Sequence, residues 1–210
     1  LDGVRDSLEL LRRRGLGEEP ACGGSVAVIG GGNAAVDAAR SALRLGAKKV
    51  TILYRRTRAE MPAYAEEIDE ALAEGIKLIE LVAPRRVLGK GGKVVGVEMV
   101  RMQLGAADAS GRRRPLPVEG SEFVVECDMV LPAIGQIASP VAGEGVTLAA
   151  DGTVPADMVS QLTAAVDVFA GGDVVTGGST VIEAIAQGQR AAIAIDRRLG
   201  GRGLLPPDVS

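Results

Sequence analysis

The sequence has no histidine and no tryptophan, and among its 210 residues only two cysteines, two tyrosines and two phenylalanines. Without histidine, Ser–His and Cys–His nucleophilic catalysis and most zinc sites are excluded, and no metal site is expected. Cys22 and Cys127 are too far apart in sequence for a CxxC redox pair and too few for a four-cysteine cluster site. They read as small buried hydrophobes. The shortage of aromatics removes stacking platforms for bases, and a net charge of −3 argues against general nucleic-acid binding. No apolar run reaches the roughly 18 residues of a membrane span. The opening "LDGVRDSLELL" is amphipathic and lacks a signal-peptide core. A cytoplasmic globule is expected. The absence of a starting Met suggests a fragment or a processed chain.

What is present is glycine, 29 of them, in a chain that is 47% hydrophobic and 24% charged. Residues 4–14 read as a helix with Val4, Leu8 and Leu11 on one face and three arginines near its end, stopped by Gly15. "GLGEEPACGG" is a connector. Residues 26–29 form a short buried strand, 33–45 a helix closed by Gly46, and 49–54 a second strand, which together make a right-handed βαβ unit. Residues 64–74 form another helix. The β-branched runs "IKLIELVAPRRVLG", "KVVGVEMVRMQ" and "SEFVVECDMVLPAIG" read as a three-stranded antiparallel meander whose last run returns to the parallel sheet. The Arg112–Arg113–Arg114 run falls in the loop between them as a solvated charge run. Further on, 167–170 is a short strand leading into "GGD". Residues 180–199 are a long helix with Val181, Ile185, Gly188, Ala192 and Ile195 on a face of small and apolar residues.

The glycines between the first strand and its helix, "GGGNAA", have a division of labour. Gly30 permits the tight turn, Gly32 lets backbone approach a pyrophosphate, and Ala35 lets the helix lie against the strand. The helix N-terminus offers free N–H groups to phosphates. Strand, loop, helix and second strand in this order point to a dinucleotide site. About 20 residues beyond the glycines such a site for NAD carries an acid for the ribose 2′-hydroxyl. This sequence reads "LYRRTR" there. Arg55 and Arg56 could pair the 2′-phosphate of NADPH through bidentate hydrogen bonds; a solvated strand end is the competing reading. A second site is expected where Asp173 sits in a glycine-rich bend. There a carboxylate suits ligand hydroxyls, and the helix start at Thr180 and Val181 suits an atom of partial negative charge.

The stretches "VAVIGGGNAAVDAARSALRLGAKKVTILYRR", "EMPAYAEEI", "CDMVLPAIG" and "VFAGGDVVTGGSTVIEAIAQGQRAA" cover most of residues 25–199. In that order they resemble the glutamate synthase small subunit family. These are pyridine nucleotide-disulfide-type oxidoreductases related to the flavin module of dihydropyrimidine dehydrogenase. The resemblance implies an α/β fold: a Rossmann-like parallel sheet with an antiparallel meander, followed by the C-terminal part of a split FAD-binding domain. It implies three segments: 1–20, a connector helix at the flavin side; 21–136, the NADPH-binding domain; and 137–210, the C-terminal flavin segment. Gly30, Gly31, Gly32, Asn33 and Ala34 match the loop under the NADPH pyrophosphate, and Arg55 and Arg56 the 2′-phosphate binders. Ala133, Ile134 and Gly135 match the turn beside the cofactor where the chain leaves the nicotinamide domain. Gly172 and Asp173 match the FAD motif, and Thr180 and Val181 the helix start facing the flavin ring. Hydride would pass from NADPH to FAD and electrons onward to iron–sulfur clusters or a partner subunit, with no side-chain acid or base. The family's earlier glycine fingerprint and cysteine clusters have no match here, so a non-catalytic NADP(H)-binding module is the alternative. A thioredoxin reductase-like activity would need a cysteine pair.

Overall fold

The computed structural model describes residues 1–107, 112–135 and 145–204, and the chain divides into two units, Leu1–Gly135 and Gln136–Ser210.

The first unit opens with helix α1, Ser7–Gly15, whose Asp6 N-cap accepts from the N–H groups of Leu8 and Glu9 at 2.9 and 3.0 Å. The helix starts three residues later than the sequence suggests because Asp2 and Val4 bridge to Lys93 and Val130 first. Strand β1, Ser25–Ile29, leads to α2, Asn33–Arg44, and to β2, Lys49–Leu53. A 3₁₀ turn, Arg58–Glu60, and α3, Ala65–Ala73, follow. The remaining elements are β3 (Lys77–Ile79), β4 (Val82–Lys90), β5 (Lys93–Ala107), β6 (Arg113–Pro117), β7 (Phe123–Glu126) and β8 (Met129–Pro132).

Strands β3-β2-β1-β8 form one parallel sheet, with Val26 beside Val50 and Met129. Strand β5 carries the antiparallel sheet, paired to β4, β6 and β7. Alternation along β1 sends Val26 and Val28 towards α2 and α3, and Ala27 and Ile29 towards the antiparallel sheet's Val82, Val97 and Met99. The parallel sheet is buried on both faces, which is why its strands read as unbroken apolar runs. Leu10 of α1 belongs to the helix-side core, and α1 packs on α2. Helix α1 is thus part of the first unit.

Three further expectations change. The run from residue 76 to 89 is two strands in two sheets, because Leu81 turns the chain with φ 55°. The run from 121 to 135 is also divided. β7 pairs with β5, the chain breaks at Asp128, and β8 joins β1. Asp128 holds that break by accepting from Gly24 and Ser25 N–H, each at 3.1 Å. The excursion thus has four strands, not three. Arg113 and Arg114 lie on β6 rather than in a loop.

In the second unit, Asp173–Thr176 forms a one-turn helix, α4, and Val181–Arg198 the long α5. The expected strand at 167–170 reduces to a single bridge from Phe169 to Leu162, since Asp167 has φ 59°. The face of small and apolar residues on α5 is largely exposed. Val181 and Ile185 are 76% and 56% exposed, and the helix instead buries Gln187.

Candidate functional site

The glycine loop sits at the C-terminal edge of the parallel sheet, where β1 meets β8. Gly30 has φ 149°, and a Cβ there would fall 2.2 Å from the carbonyl oxygen of Ala133. Ala133 in turn donates its N–H to Ile29 O at 2.8 Å. The two segments are thereby locked side by side, and Gly135, φ 122°, ends the unit with Ile134 exposed. Gly31 faces the ring of Tyr54, which would lie 2.5 Å from an added Cβ. Around Gly32 there is open space: the nearest atom to a Cβ would be Pro62 Cγ at 3.9 Å. That is the one glycine of the three whose missing side chain leaves room for a ligand instead of for protein. Gly32 is the N-cap of α2 and gives it no side-chain hydrogen bond. The N–H groups of Asn33 and Ala34 have no intrahelical acceptor. They can donate to a pyrophosphate. Ala35 is fully buried against the sheet.

The segment 61–64, part of "EMPAY", is pinned to this loop. Ala63 N–H donates to Gly31 O at 3.2 Å, and Tyr64 N–H to Asn33 Oδ1 at 3.1 Å. Tyr54 Oη donates to Glu60 O at 2.8 Å. Sequence reasoning quotes this motif but assigns it no role. The signal is a set of backbone bonds between segments about thirty residues apart, which no periodicity encodes.

The two arginines at the end of β2 part company. Arg55 is exposed and makes no hydrogen bond or ion pair among the described residues. Arg56 is 7% exposed, and its Nε donates to Arg113 O at 2.8 Å. Arg58 is engaged with Asp69. Glu60 accepts from Thr57 N–H and Oγ1 at 3.2 and 2.9 Å and from Arg113 Nε at 3.2 Å. Burial raises its pKa, but these donors together outweigh it and hold the carboxyl below the usual range.

In the second unit Gly172, Asp173, Thr180 and Val181 come together. Gly172 has φ 79°, and its N–H donates to the fully buried Gln187 Oε1 at 2.7 Å. Asp173 Oδ1 accepts from Ser179 N–H at 3.1 Å, and Thr180 Oγ1 accepts from Glu183 N–H at 3.2 Å. Asp173 Oδ2 and the first-turn N–H groups of Val181 and Ile182 have no partner among the described residues. An acceptor carboxylate beside free N–H donors fits a group with both hydroxyls and carbonyl oxygens.

Cys22 packs with the helix-side core and Cys127 with the sheet–sheet core, and both are free thiols. Burial raises the Cys22 pKa and pushes that of Cys127 up to about 11, with Asp128 adding to the second shift. Neither is poised as a thiolate nucleophile.

Residues 4–188 match the pyridine nucleotide-disulphide oxidoreductase family. The NADP(+)-dependent formate dehydrogenase subunit beta of Moorella thermoacetica is 49% identical over 199 residues, covering 94% of this chain and 28% of that protein. The glutamate synthase [NADPH] small chain of Escherichia coli is 41% identical over 180 residues, covering 82% of this chain and 38% of that protein. The chain thus spans well under half the length of either relative. Among solved structures, Mycobacterium tuberculosis FprA in complex with NADPH aligns with a TM-score of 0.74 at 18% identity, over 100% of this chain and 62% of that one. That likeness concerns the fold.

Proposed function

The chain belongs to the pyridine nucleotide-disulphide oxidoreductase family, and on that premise we propose that it is the NADPH-binding part of a flavoprotein oxidoreductase. The observation that carries this is the pinned glycine loop followed by Arg55: N–H groups able to donate to phosphate at one end and, at the other, an exposed guanidinium with no partner among the described residues. The names of the relatives, NADP(+)- and NADPH-dependent, support the same coenzyme. FAD is assigned to the second unit, where Asp173 Oδ2 and the start of α5 supply acceptor and donors. When both are bound, NADPH supplies a hydride and the flavin takes it up. The chain's own residues bind, orient and hold these groups; none is placed as an acid or base. Passage of electrons onward to iron–sulfur clusters or a partner subunit, in the manner of a glutamate synthase small chain, completes the proposal.

The test is calorimetric titration of NADPH and NADH. The 2′-phosphate brings roughly −1.5 to −2 charges. Solvent screening at an exposed arginine leaves a preference of about tenfold to a hundredfold for NADPH, eroded by salt. Arg55→Ala should remove most of it and spare NADH. Equal affinity of the unsubstituted protein for both coenzymes would refute the assignment.

One observation favours a non-catalytic NADP(H)-binding module: the exposed Val181, Ile182 and Ile185 at the flavin-side helix. Visible absorbance separates the two readings. Purified protein carrying flavin supports the oxidoreductase, and a colourless protein that binds NADPH supports the module.

A further inference from the structure

Arg113 is separated from the coenzyme loop by more than fifty residues, yet touches it twice. Its carbonyl accepts Arg56 Nε–H at 2.8 Å, and its own Nε donates to Glu60 Oε1 at 3.2 Å. The other oxygen of that carboxylate stays on Thr57, accepting from both its N–H and its Oγ1. Strand β6 of the antiparallel sheet therefore closes the loop that Arg55 begins. Among the described residues, three acids bond to this loop. Asp69 is taken by the Arg58 guanidinium, Glu80 accepts Arg58 N–H at 2.8 Å, and Glu60 holds Arg113. Arg56 is buried and committed to backbone, whereas Arg55 is exposed and Arg113 is 53% exposed at its side chain, so both of these guanidiniums have room to turn. If Arg113 leaves Glu60, that carboxylate keeps both Thr57 donors, so it is not left without a partner.

We propose that Arg113 is a specificity-determining residue for the coenzyme: its guanidinium turns from Glu60 to the 2′-phosphate of NADPH and pairs it together with Arg55. Arg56 is then a positioning residue that fixes β6 beside the loop. The inference rests on the NADPH reading above and adds to it a contact from a different sheet.

The experiment titrates the protein with NADPH, NADH and adenosine 2′,5′-bisphosphate. Arg113→Ala removes the guanidinium but keeps the carbonyl that anchors Arg56. Affinity for NADPH and for the bisphosphate should fall about three- to tenfold, the range of a partly screened charge-assisted contact, while NADH affinity stays constant. Arg113→Lys should restore part of the loss. Glu60→Gln, which releases Arg113, should raise the ratio of NADPH to NADH affinity. An unchanged preference in Arg113→Ala overturns the role of Arg113, and so does an equal loss for both coenzymes or a lower ratio in Glu60→Gln. If the unsubstituted protein binds NADPH and NADH equally, the NADPH reading itself falls; that outcome is separate from the others.

Discussion

At the residue scale, the three glycines of one loop face three different neighbours, and their substitutions should separate accordingly. Gly30→Ala places a Cβ on Ala133 O in a backbone region of positive φ, and Gly31→Ala drives one into the Tyr54 ring. Tyr54 is buried and tethered through its hydroxyl, so the ring cannot swing away cheaply. Each substitution should cost about 1–3 kcal/mol or more of stability, read by urea denaturation. Gly32→Ala meets nothing closer than 3.9 Å, so it should leave stability nearly unchanged and weaken NADPH binding by crowding the pyrophosphate. If Gly32→Ala were the least stable of the three, the open space beside it would have to be read as packing. The cysteines make a second residue-scale prediction. With its pKa near 11, Cys127 is about one part in a thousand thiolate at pH 8. A thiol-specific disulfide reagent should label it only after denaturation, with the half-buried Cys22 reacting first. Rapid release of two equivalents from native protein would contradict the assignment of Cys127 to the core.

At the scale of elements, α2 is tied to α3 by a charged cluster. Arg40 Nη2 lies 2.6 Å from Glu74 Oε1 and 2.9 Å from Glu70 Oε2, and Arg44 Nη2 is 2.8 Å from Glu74. The Arg40 hydrogen bond is the largest cause of a lowered Glu74 pKa, with Arg44 contributing. A carboxylate whose pKa is depressed in the folded state stabilises it above the unfolded value, about 4.3 for Glu, and that stability is lost as pH falls through the folded value. Glu74→Gln should therefore lower Tm at pH 7, and the difference should shrink as pH falls below the unfolded value and vanish only once it is below the depressed folded one. A Tm difference that does not change with pH would assign the effect to packing. The βαβ unit and its glycine loop were legible in the sequence because their residues are local and their spacing is fixed by turn and helix geometry. The divisions at Leu81 and Asp128 were not legible. The first depends on a left-handed backbone at a leucine, and the second on a carboxylate accepting from N–H groups some hundred residues earlier. Arg113 was read as solvated charge for the same reason, since its partners Arg56 and Glu60 belong to another sheet's loop. The apolar stripe of α5 was seen correctly as a stripe, but periodicity alone does not say whether protein covers it.

At the scale of the whole molecule, the two units are unequal in core. Of the buried hydrophobic residues, Val154 alone among those described in the second unit is present; the rest lie in Leu1–Gly135. Sixty or so residues with little apolar burial have a small driving force against the roughly 1–2 kcal/mol per residue of backbone entropy. What holds α5 instead is largely polar: Gln187 on Gly172 N–H, and Thr180 on Glu183 N–H. Such bonds are each worth about 0.5–1.5 kcal/mol net, so the residues of the second unit should open far more readily than the sheet. Amide hydrogen exchange should show β1, β2 and β8 exchanging only through global unfolding, and α5 exchanging orders of magnitude faster. The same weakness bears on FAD. A ligand that must order its own site spends part of its binding free energy on that ordering, so the residues 1–210 alone should hold FAD only weakly. Saturating FAD should slow exchange selectively in α4 and α5, whereas saturating NADPH should slow it in the glycine loop and the first turn of α2. Protection of α5 equal to that of β1 without any coenzyme would show that the second unit is stable by itself, and the expectation of weak FAD retention would lose its physical basis.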